Sequence, residues 1–256
     1  MVRQSLRIML AKGFVFSMGL AAAVLASSAH AGTINLNDVY NGSAPFVGTN
    51  VTFTDVIEEN GAPADPAINF YQSPIVLTDT LNANPVNFRA EAVGGPQTVN
   101  TASRLEMLVT SNNPNIFIDQ IVVNEAGDYD ILGNGWVEAK LSYTWEVLEA
   151  GGVPLGSPVS GNGSILFGAN SPPASSGIWA NMIVADIGSS VGNATKVAFS
   201  FTNTLKAHAD DVISLGFVAK KQLDGVQVIT TVPEPATASL LLLGLIPLAR
   251  RVRRRD

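Results

Sequence analysis

The chain has 256 residues, of which 46% are hydrophobic and only 14% charged, and it contains no cysteine. The absence of cysteine excludes disulfides, zinc–thiolate sites and cysteine nucleophiles. The formal net charge is −6, but residues 32–231 hold 7 Lys and Arg against 19 Asp and Glu, so the basic residues are concentrated at the two ends. Such an acidic middle disfavours nucleic acid as a partner.

The first 31 residues have the order of a secretory signal peptide. Basic residues lie within the first twelve, and an apolar stretch without charge follows at 13–26. Ala29 and Ala31 then place small side chains at the two positions that a signal peptidase reads. We therefore predict cleavage after Ala31 and export of the rest of the chain, with an uncleaved membrane anchor as the alternative.

Residues 32–231 alternate short apolar–polar segments with turn residues and show no helical period. In the clearest segment, 136–148, Val137 and Trp145 share an apolar face while Lys140 lies on the polar face. The other predicted strands are 51–57, 68–71, 75–77, 86–90, 105–109, 116–123, 178–187, 197–205, 211–220 and 226–230. The pattern predicts an all-β fold, a single antiparallel β-sandwich resembling a jelly roll.

Two further features of this region lead to local predictions. Residues 178–187 are apolar on both faces, which predicts a central strand. Residues 151–176 are rich in Gly, Pro and Ser, which predicts loops. Since no internal boundary stands out, we treat residues 32–231 as one domain.

The last segment, 232–256, has three parts. The parts are Val232-Pro233-Glu234-Pro235, the uncharged run 236–249, and a basic cluster of Arg250, Arg251, Arg253, Arg254 and Arg255. The prolines end the preceding strand. As a helix the run would be about 21 Å long, shorter than the roughly 30 Å hydrocarbon core of a membrane. We predict a short transmembrane segment whose arginines stay on the cytoplasmic side; a buried core helix is the alternative.

This tail resembles the PEP-CTERM sorting signal of Gram-negative bacteria that produce exopolysaccharide. The resemblance covers residues 232–255 and includes the order of the three parts and the Val-Pro-Glu-Pro core. It implies a precursor held in the inner membrane, with its domain in the periplasm. It also implies processing by an exosortase near Pro233, Glu234 and Pro235, followed by delivery to the cell surface or extracellular matrix.

More loosely, the middle of the chain resembles the globular part of small PEP-CTERM proteins. Three elements carry this resemblance, and they are Glu125-Ala126-Gly127-Asp128-Tyr129, Asn203-Thr204-Leu205 and Lys220-Lys221. The resemblance implies no activity. The sequence thus predicts an exported, non-enzymatic surface or matrix protein, without cofactor, that is associated with exopolysaccharide or biofilm.

Two other functions are open alternatives. A carbohydrate-binding module would use exposed aromatic rings, for which Trp136 and Trp179 are the candidates, although a place in the core is the preferred interpretation for both. A secreted glycoside hydrolase would need a pair of carboxylates in one cleft, and the sequence marks no such pair.

Two further candidates concern acid–base and metal chemistry. After signal-peptide removal His208 is the one histidine, and its surroundings predict a solvated loop side chain rather than a catalytic base. Asp128 and Asp130 are weak calcium candidates, because they lack the spacing of a known calcium loop. A tight turn capped by these aspartates is the preferred interpretation.

Overall fold

The computed structural model of the protein describes residues 32–60, 69–170 and 175–232. In these ranges the chain forms thirteen strands and one short helix, α1 (Leu36–Asn41). The strands are β1 (Gly32–Asn35), β2 (Phe46–Val47), β3 (Val51–Asn60), β4 (Tyr71–Leu77), β5 (Thr80–Pro85), β6 (Arg89–Val93), β7 (Gln97–Ser111), β8 (Phe117–Leu132), β9 (Gly135–Ala150), β10 (Val153–Asn170), β11 (Ser175–Asp186), β12 (Ala194–Ala209) and β13 (Leu215–Thr231). The predicted all-β class is confirmed.

The strands form two antiparallel sheets. The larger has the order β1-β3-β7-β12-β9-β10, with β2 paired to β3. The smaller has the order β11-β8-β13-β5-β4, with β6 paired to β13. Buried side chains of both sheets, such as Phe199 of the larger and Ile121 of the smaller, belong to one hydrophobic cluster. The two sheets therefore share a single core.

Strand β9 shows why alternation in the sequence produces this arrangement. Val137, Leu141 and Trp145 are buried, whereas Lys140 is exposed. Successive side chains of a strand point to opposite faces, so every second residue enters the core. The predicted facing of this segment is confirmed.

The short helix α1 was not predicted. The side chain of Asn35 accepts a hydrogen bond from the backbone N–H of Asn37 at 2.9 Å and so caps the helix. Gly42 ends the helix in the left-handed conformation, with φ of 57°. The helix has 6 residues, and so short a segment has no detectable apolar period.

The prediction of loops over 151–176 is wrong, because this region contains β10 and the start of β11. Gly161 lies opposite Trp145 and Gly163 opposite Tyr143 on the neighbouring strand. A Cβ atom at either glycine would lie only 2.6 Å or 2.7 Å from the facing ring. These glycines therefore make room for aromatic rings within a sheet and do not mark a turn.

Two other predictions are corrected by the smaller sheet. Residues 215–220 and segment 226–230 belong to one strand, β13, in which irregularities of register near Lys220 and Gly225 form bulges and not a turn between two strands. Residues 211–214, predicted as the start of a strand, form a turn before β13. Segment 178–187 forms β11, which is an edge strand and not a central one. Its second apolar face, including Ile178 and Met182, lies on the protein surface.

Several predictions concern residues outside the described ranges. These are the signal peptide with Ala29 and Ala31, the motif residues Pro233, Glu234 and Pro235, the run 236–249, and the arginines at 250, 251, 253, 254 and 255. Among the described residues, no helix has the length and apolarity needed to cross a membrane. Strand β13 ends at Thr231, and Val232 directly after it is exposed.

Candidate functional site: a polar cluster inside the core

A group of polar side chains occupies inward positions of both sheets, where apolar residues are expected. The larger sheet contributes Glu58 from β3, Ser103 from β7 and Asn203 from β12; the smaller contributes Tyr71 from β4, Glu125 from β8, Asn181 from β11 and Lys220 from β13. Burying charged groups is costly unless they are paired and hydrogen-bonded. We call these seven residues the core polar cluster and describe its bonds in turn.

An ion pair between Lys220 and Glu125 lies at the centre of the cluster. Lys220 Nζ donates to Glu125 Oε2 at 2.8 Å, and the two side chains are 0% and 1% exposed. Asn181 Nδ2 approaches the other carboxylate oxygen, Oε1, at 3.3 Å and also donates to the carbonyl of Ala139 at 3.1 Å. Both oxygens of Glu125 therefore have a nitrogen partner from a neighbouring strand.

Aromatic rings surround the amine of Lys220. Its Nζ lies 5.1 Å from the ring centre of Tyr71, 5.7 Å from that of Phe88 and 5.8 Å from that of Phe201. A cation over aromatic faces is attracted by their quadrupoles. The Tyr71 hydroxyl accepts hydrogen bonds from Lys220 Nζ at 3.1 Å and from Asn203 Nδ2 at 2.8 Å. Burial lowers the pKa of Lys220 and raises that of Tyr71.

Glu58 forms the other end of the cluster. Its carboxylate accepts hydrogen bonds from the backbone N–H groups of Phe70 at 2.8 Å and Tyr71 at 3.2 Å, and from Ser103 Oγ at 3.2 Å. These bonds and the positive charge of Lys220 lower the pKa of Glu58, but burial is the larger effect. The net result is a pKa raised to about 7.

The sequence contains a sign of this cluster, because charged residues stand at core positions of two strands. These residues are not among the sites predicted from the sequence. Lys220 is in phase with the buried Val218 on β13, and Glu125 is in phase with the buried Val123 on β8. A charged residue in phase with core positions of a strand indicates a buried partner of opposite charge. Glu125, Asn203 and Lys220 also belong to the three elements of the looser resemblance, and the fold brings all three into this cluster.

Gly127, in the same element as Glu125, gives space to Trp179. A Cβ atom at Gly127 would lie 1.9 Å from the carbonyl oxygen of Ala219 and 2.6 Å from Trp179 Nε1. The indole donates to that carbonyl at 3.1 Å and is 2% exposed. The ring of Trp179 is therefore part of the core, as the preferred interpretation expects, and it is not available as a sugar-stacking platform.

Trp136 lies on the outer side of β9 and is half-buried. Its ring stacks on that of His208, with centroids 5.1 Å apart and planes inclined by 14°. One ring face is thus covered by a protein side chain. Trp136 stays a candidate for sugar contact through its remaining surface.

His208 lies in strand β12 and not in a loop, which corrects the predicted setting. Its Nδ1 is 2.7 Å from Thr98 Oγ1, and its Nε2 is 2.7 Å from Asp210 Oδ1. The ring is therefore held by two hydrogen bonds in addition to the stacking on Trp136. These contacts account for the position of the imidazole without any catalytic role.

Asp128 and Asp130 lie within strand β8, so the tight turn predicted for them is wrong. Asp128 Oδ2 lies 3.7 Å from Lys221 Nζ, and both aspartates line a shallow depression that also includes Glu91. Among the described residues, no group of three or more His, Cys, Asp or Glu side chains is arranged to hold a metal ion.

The outer face of the larger sheet carries a polar depression of about 400 Å³. Its polar lining consists of Asp55, Arg104, Glu106, Thr144, Glu146, Ser160, Asn162 and Ser200. Arg104 forms ion pairs with Glu106 at 2.7 Å and with Glu59 at 3.4 Å. The depression offers donors and acceptors of both charges to a polar ligand in solvent.

Comparisons with known proteins give little further information. No family model matches the chain, and no curated protein matches it. One solved structure, described as that of infectious bursal disease virus Gt strain, shares 13% identity over 79% of this chain, with a TM-score of 0.13. The chain spans 57% of the length of that structure's chain. A similarity at this level carries no argument about fold or function.

Proposed function

We propose that the protein is an exported, non-enzymatic surface or matrix protein, built as a single jelly-roll-like β-sandwich and sorted by an exosortase through its C-terminal tail. The observation that carries this proposal is the tail itself, in which Val232-Pro233-Glu234-Pro235 precedes an apolar run and five arginines. Exopolysaccharide is the matrix partner that the PEP-CTERM resemblance implies.

Two features of the described residues support this proposal. Strand β13 ends at Thr231, and Val232, the first residue of the motif, is exposed. The charged side chains Lys220 and Glu125 are sealed inside the core, where no soluble substrate contacts them. Among the described residues, three of the four groups with a shifted pKa (Glu58, Tyr71 and Lys220) belong to this buried cluster, which supports a role of these groups in the fold.

The test is the length of the C-terminal tail, measured by mass spectrometry in cells with and without the exosortase. The proposal expects a tail shortened near Pro233-Glu234-Pro235 in the first case and intact through Asp256 in the second. An intact tail in both cells would refute sorting and indicate an ordinary membrane-anchored protein.

The second candidate function is carbohydrate binding at the outer face of the larger sheet. The observation that favours it is the depression lined by Arg104, Thr144 and Asn162, whose side chains suit hydroxyl groups of a sugar. Titration of purified exopolysaccharide against the protein and against Arg104→Ala tests it. Equal binding by both proteins would argue against this depression as the site.

A further inference from the structure

Three side chains of the core polar cluster form a chemically reactive arrangement on three adjacent strands. They are the amine of Lys220 on β13, the carboxylate of Glu125 on β8 and the carboxamide of Asn181 on β11. Asn181 lies directly opposite Glu125 in the β11–β8 register, and Lys220 lies opposite Gly127 in the β13–β8 register. The carboxylate therefore stands between the amine and the amide.

The contacts of Glu125 assign a separate oxygen to each neighbour. Oε2 lies 2.8 Å from Lys220 Nζ, and Oε1 lies 3.3 Å from Asn181 Nδ2. A carboxylate in this position can take a proton from the amine and deliver it to the amide nitrogen. Because one carboxylate holds both groups, the reaction loses less translational freedom than the same reaction would lose in solution.

The surroundings make it easier for the amine to lose its proton and become nucleophilic. The side chain of Lys220 is fully buried, and the rings of Tyr71, Phe88 and Phe201 surround it. Burial lowers the pKa of this amine, although the negative charge of Glu125 acts in the opposite direction. A desolvated lysine is an activated nucleophile for carbonyl groups.

We propose that the chain forms an internal amide crosslink between Lys220 Nζ and Asn181 Cγ, with Glu125 as the group that transfers the protons. Nothing in this step depends on the sorting tail or on the function proposed above.

The proposed step balances without any oxidant or cofactor. Lys220 first gives a proton to Glu125, which leaves a neutral amine and a neutral acid. The Nζ lone pair attacks Cγ of Asn181, and Glu125 returns the proton to Nδ2 as the Cγ–Nδ2 bond breaks. Ammonia leaves, and Glu125 takes the second proton from Nζ. The products are one amide, one ammonia and a protonated Glu125.

Asn181 is the better partner than the second buried carboxamide, Asn203. Nδ2 of Asn203 donates to the Tyr71 hydroxyl at 2.8 Å and belongs to the opposite sheet. Asn181 shares the carboxylate of Glu125 with the amine, so the leaving nitrogen is next to its proton donor. The resulting bond would tie the edge strand β11 to β13 across β8, in a protein that has no disulfides.

The test is the intact mass of the full chain after folding, measured under denaturing conditions. We expect a mass lower than that of the sequence by one ammonia, in nearly all molecules. Digestion should release a branched peptide that joins the Asn181 and Lys220 segments. A folded protein with the full sequence mass would overturn the proposal.

Matched variants separate this reaction from other losses of ammonia. Lys220→Met and Glu125→Gln should abolish the mass loss, while Asn203→Ser should keep it. Asn181→Asp should lose water in place of ammonia if the same bond forms. If the mass loss persists in Lys220→Met, its source is cyclisation of an asparagine on its own backbone. If only Asn203→Ser abolishes the mass loss, Asn203 and not Asn181 is the partner of the lysine. Either result overturns the proposal. Circular dichroism of each variant confirms that it is folded.

Discussion

At the scale of single residues, Glu58 makes the free energy of unfolding depend on pH. Its pKa in the folded protein is about 7, above the ordinary value of 4.5, because burial outweighs its hydrogen bonds. The folded state therefore binds more protons than the unfolded state between these two values. The stabilisation of the folded state by protonation of Glu58 is complete below pH 4.5, and it is lost as the pH rises through about 7.

We expect the free energy of unfolding to fall by up to about 3 kcal/mol as the pH is raised across this window. Urea denaturation at several pH values, followed by tryptophan fluorescence, measures it. Glu58→Gln should flatten this dependence, whereas Glu59→Gln, a change at the half-exposed neighbour, should keep it. Identical pH profiles for the two variants would contradict the assignment.

The two faces of β9 give a second prediction at this scale. Trp145→Asp should destabilise the protein by several kcal/mol, because it places an unpaired carboxylate in the core. Lys140→Glu, on the exposed face of the same strand, should change the free energy of unfolding by less than about 1 kcal/mol. Chemical denaturation of both variants measures these changes. Comparable losses of stability in the two variants would show that the assignment of β9 side chains to core and solvent is wrong.

At the scale of elements, the sequence predicted strands well where one face is apolar and the other polar. Segments 136–148 and 197–205 lie inside β9 and β12, two strands of the larger sheet that bury one face in the core. Strand β10 was missed because most of its residues are exposed and none is fully buried, so its sequence shows no clear apolar–polar alternation. Gly161 and Gly163 of β10 leave space for the rings of Trp145 and Tyr143 on the adjacent strand. The local sequence of β10 does not show this need, because the rings belong to another strand.

The core polar cluster was missed for a related reason. Glu125, Lys220 and Glu58 lie on three different strands, and their proximity depends on strand order and register. Neither is specified by the local pattern, which reports only which face of a strand is buried. A single charged residue in phase with a core face was visible in the sequence, but its partner was not.

The glycines of β10 allow a matched test at the element scale. Gly161→Ala should destabilise the protein by about 1–3 kcal/mol, because the added methyl overlaps the ring of Trp145. Gly156→Ala, in the same strand with open space around it, should be neutral or stabilising by up to about 1 kcal/mol. Thermal unfolding of the two variants measures the difference; an equal response would mean that Gly161 has no packing role.

At the scale of the whole molecule, we expect residues 32–231 to fold without the two basic ends. The core that both sheets share is formed, among the described residues, by side chains of this region, and the chain has no cysteine on which folding could depend. Circular dichroism of this fragment should show β structure and cooperative unfolding, unchanged by a metal chelator. Dominant helix or random coil in the fragment would contradict a self-sufficient domain.

The final prediction separates sorting from folding. Glu234 lies outside the described residues, three positions after the end of β13 at Thr231, and we predict that the two sheets do not need its carboxylate. Glu234→Ala should leave thermal unfolding unchanged, while unprocessed chain accumulates in the inner membrane. Glu91→Ala, which removes an exposed carboxylate on β6, should be processed as the original chain is. Fractionation of cells and intact-mass measurement of the tail give the readout. Normal processing of Glu234→Ala, or an equal defect in both variants, would show that the Pro-Glu-Pro motif is not the recognised element.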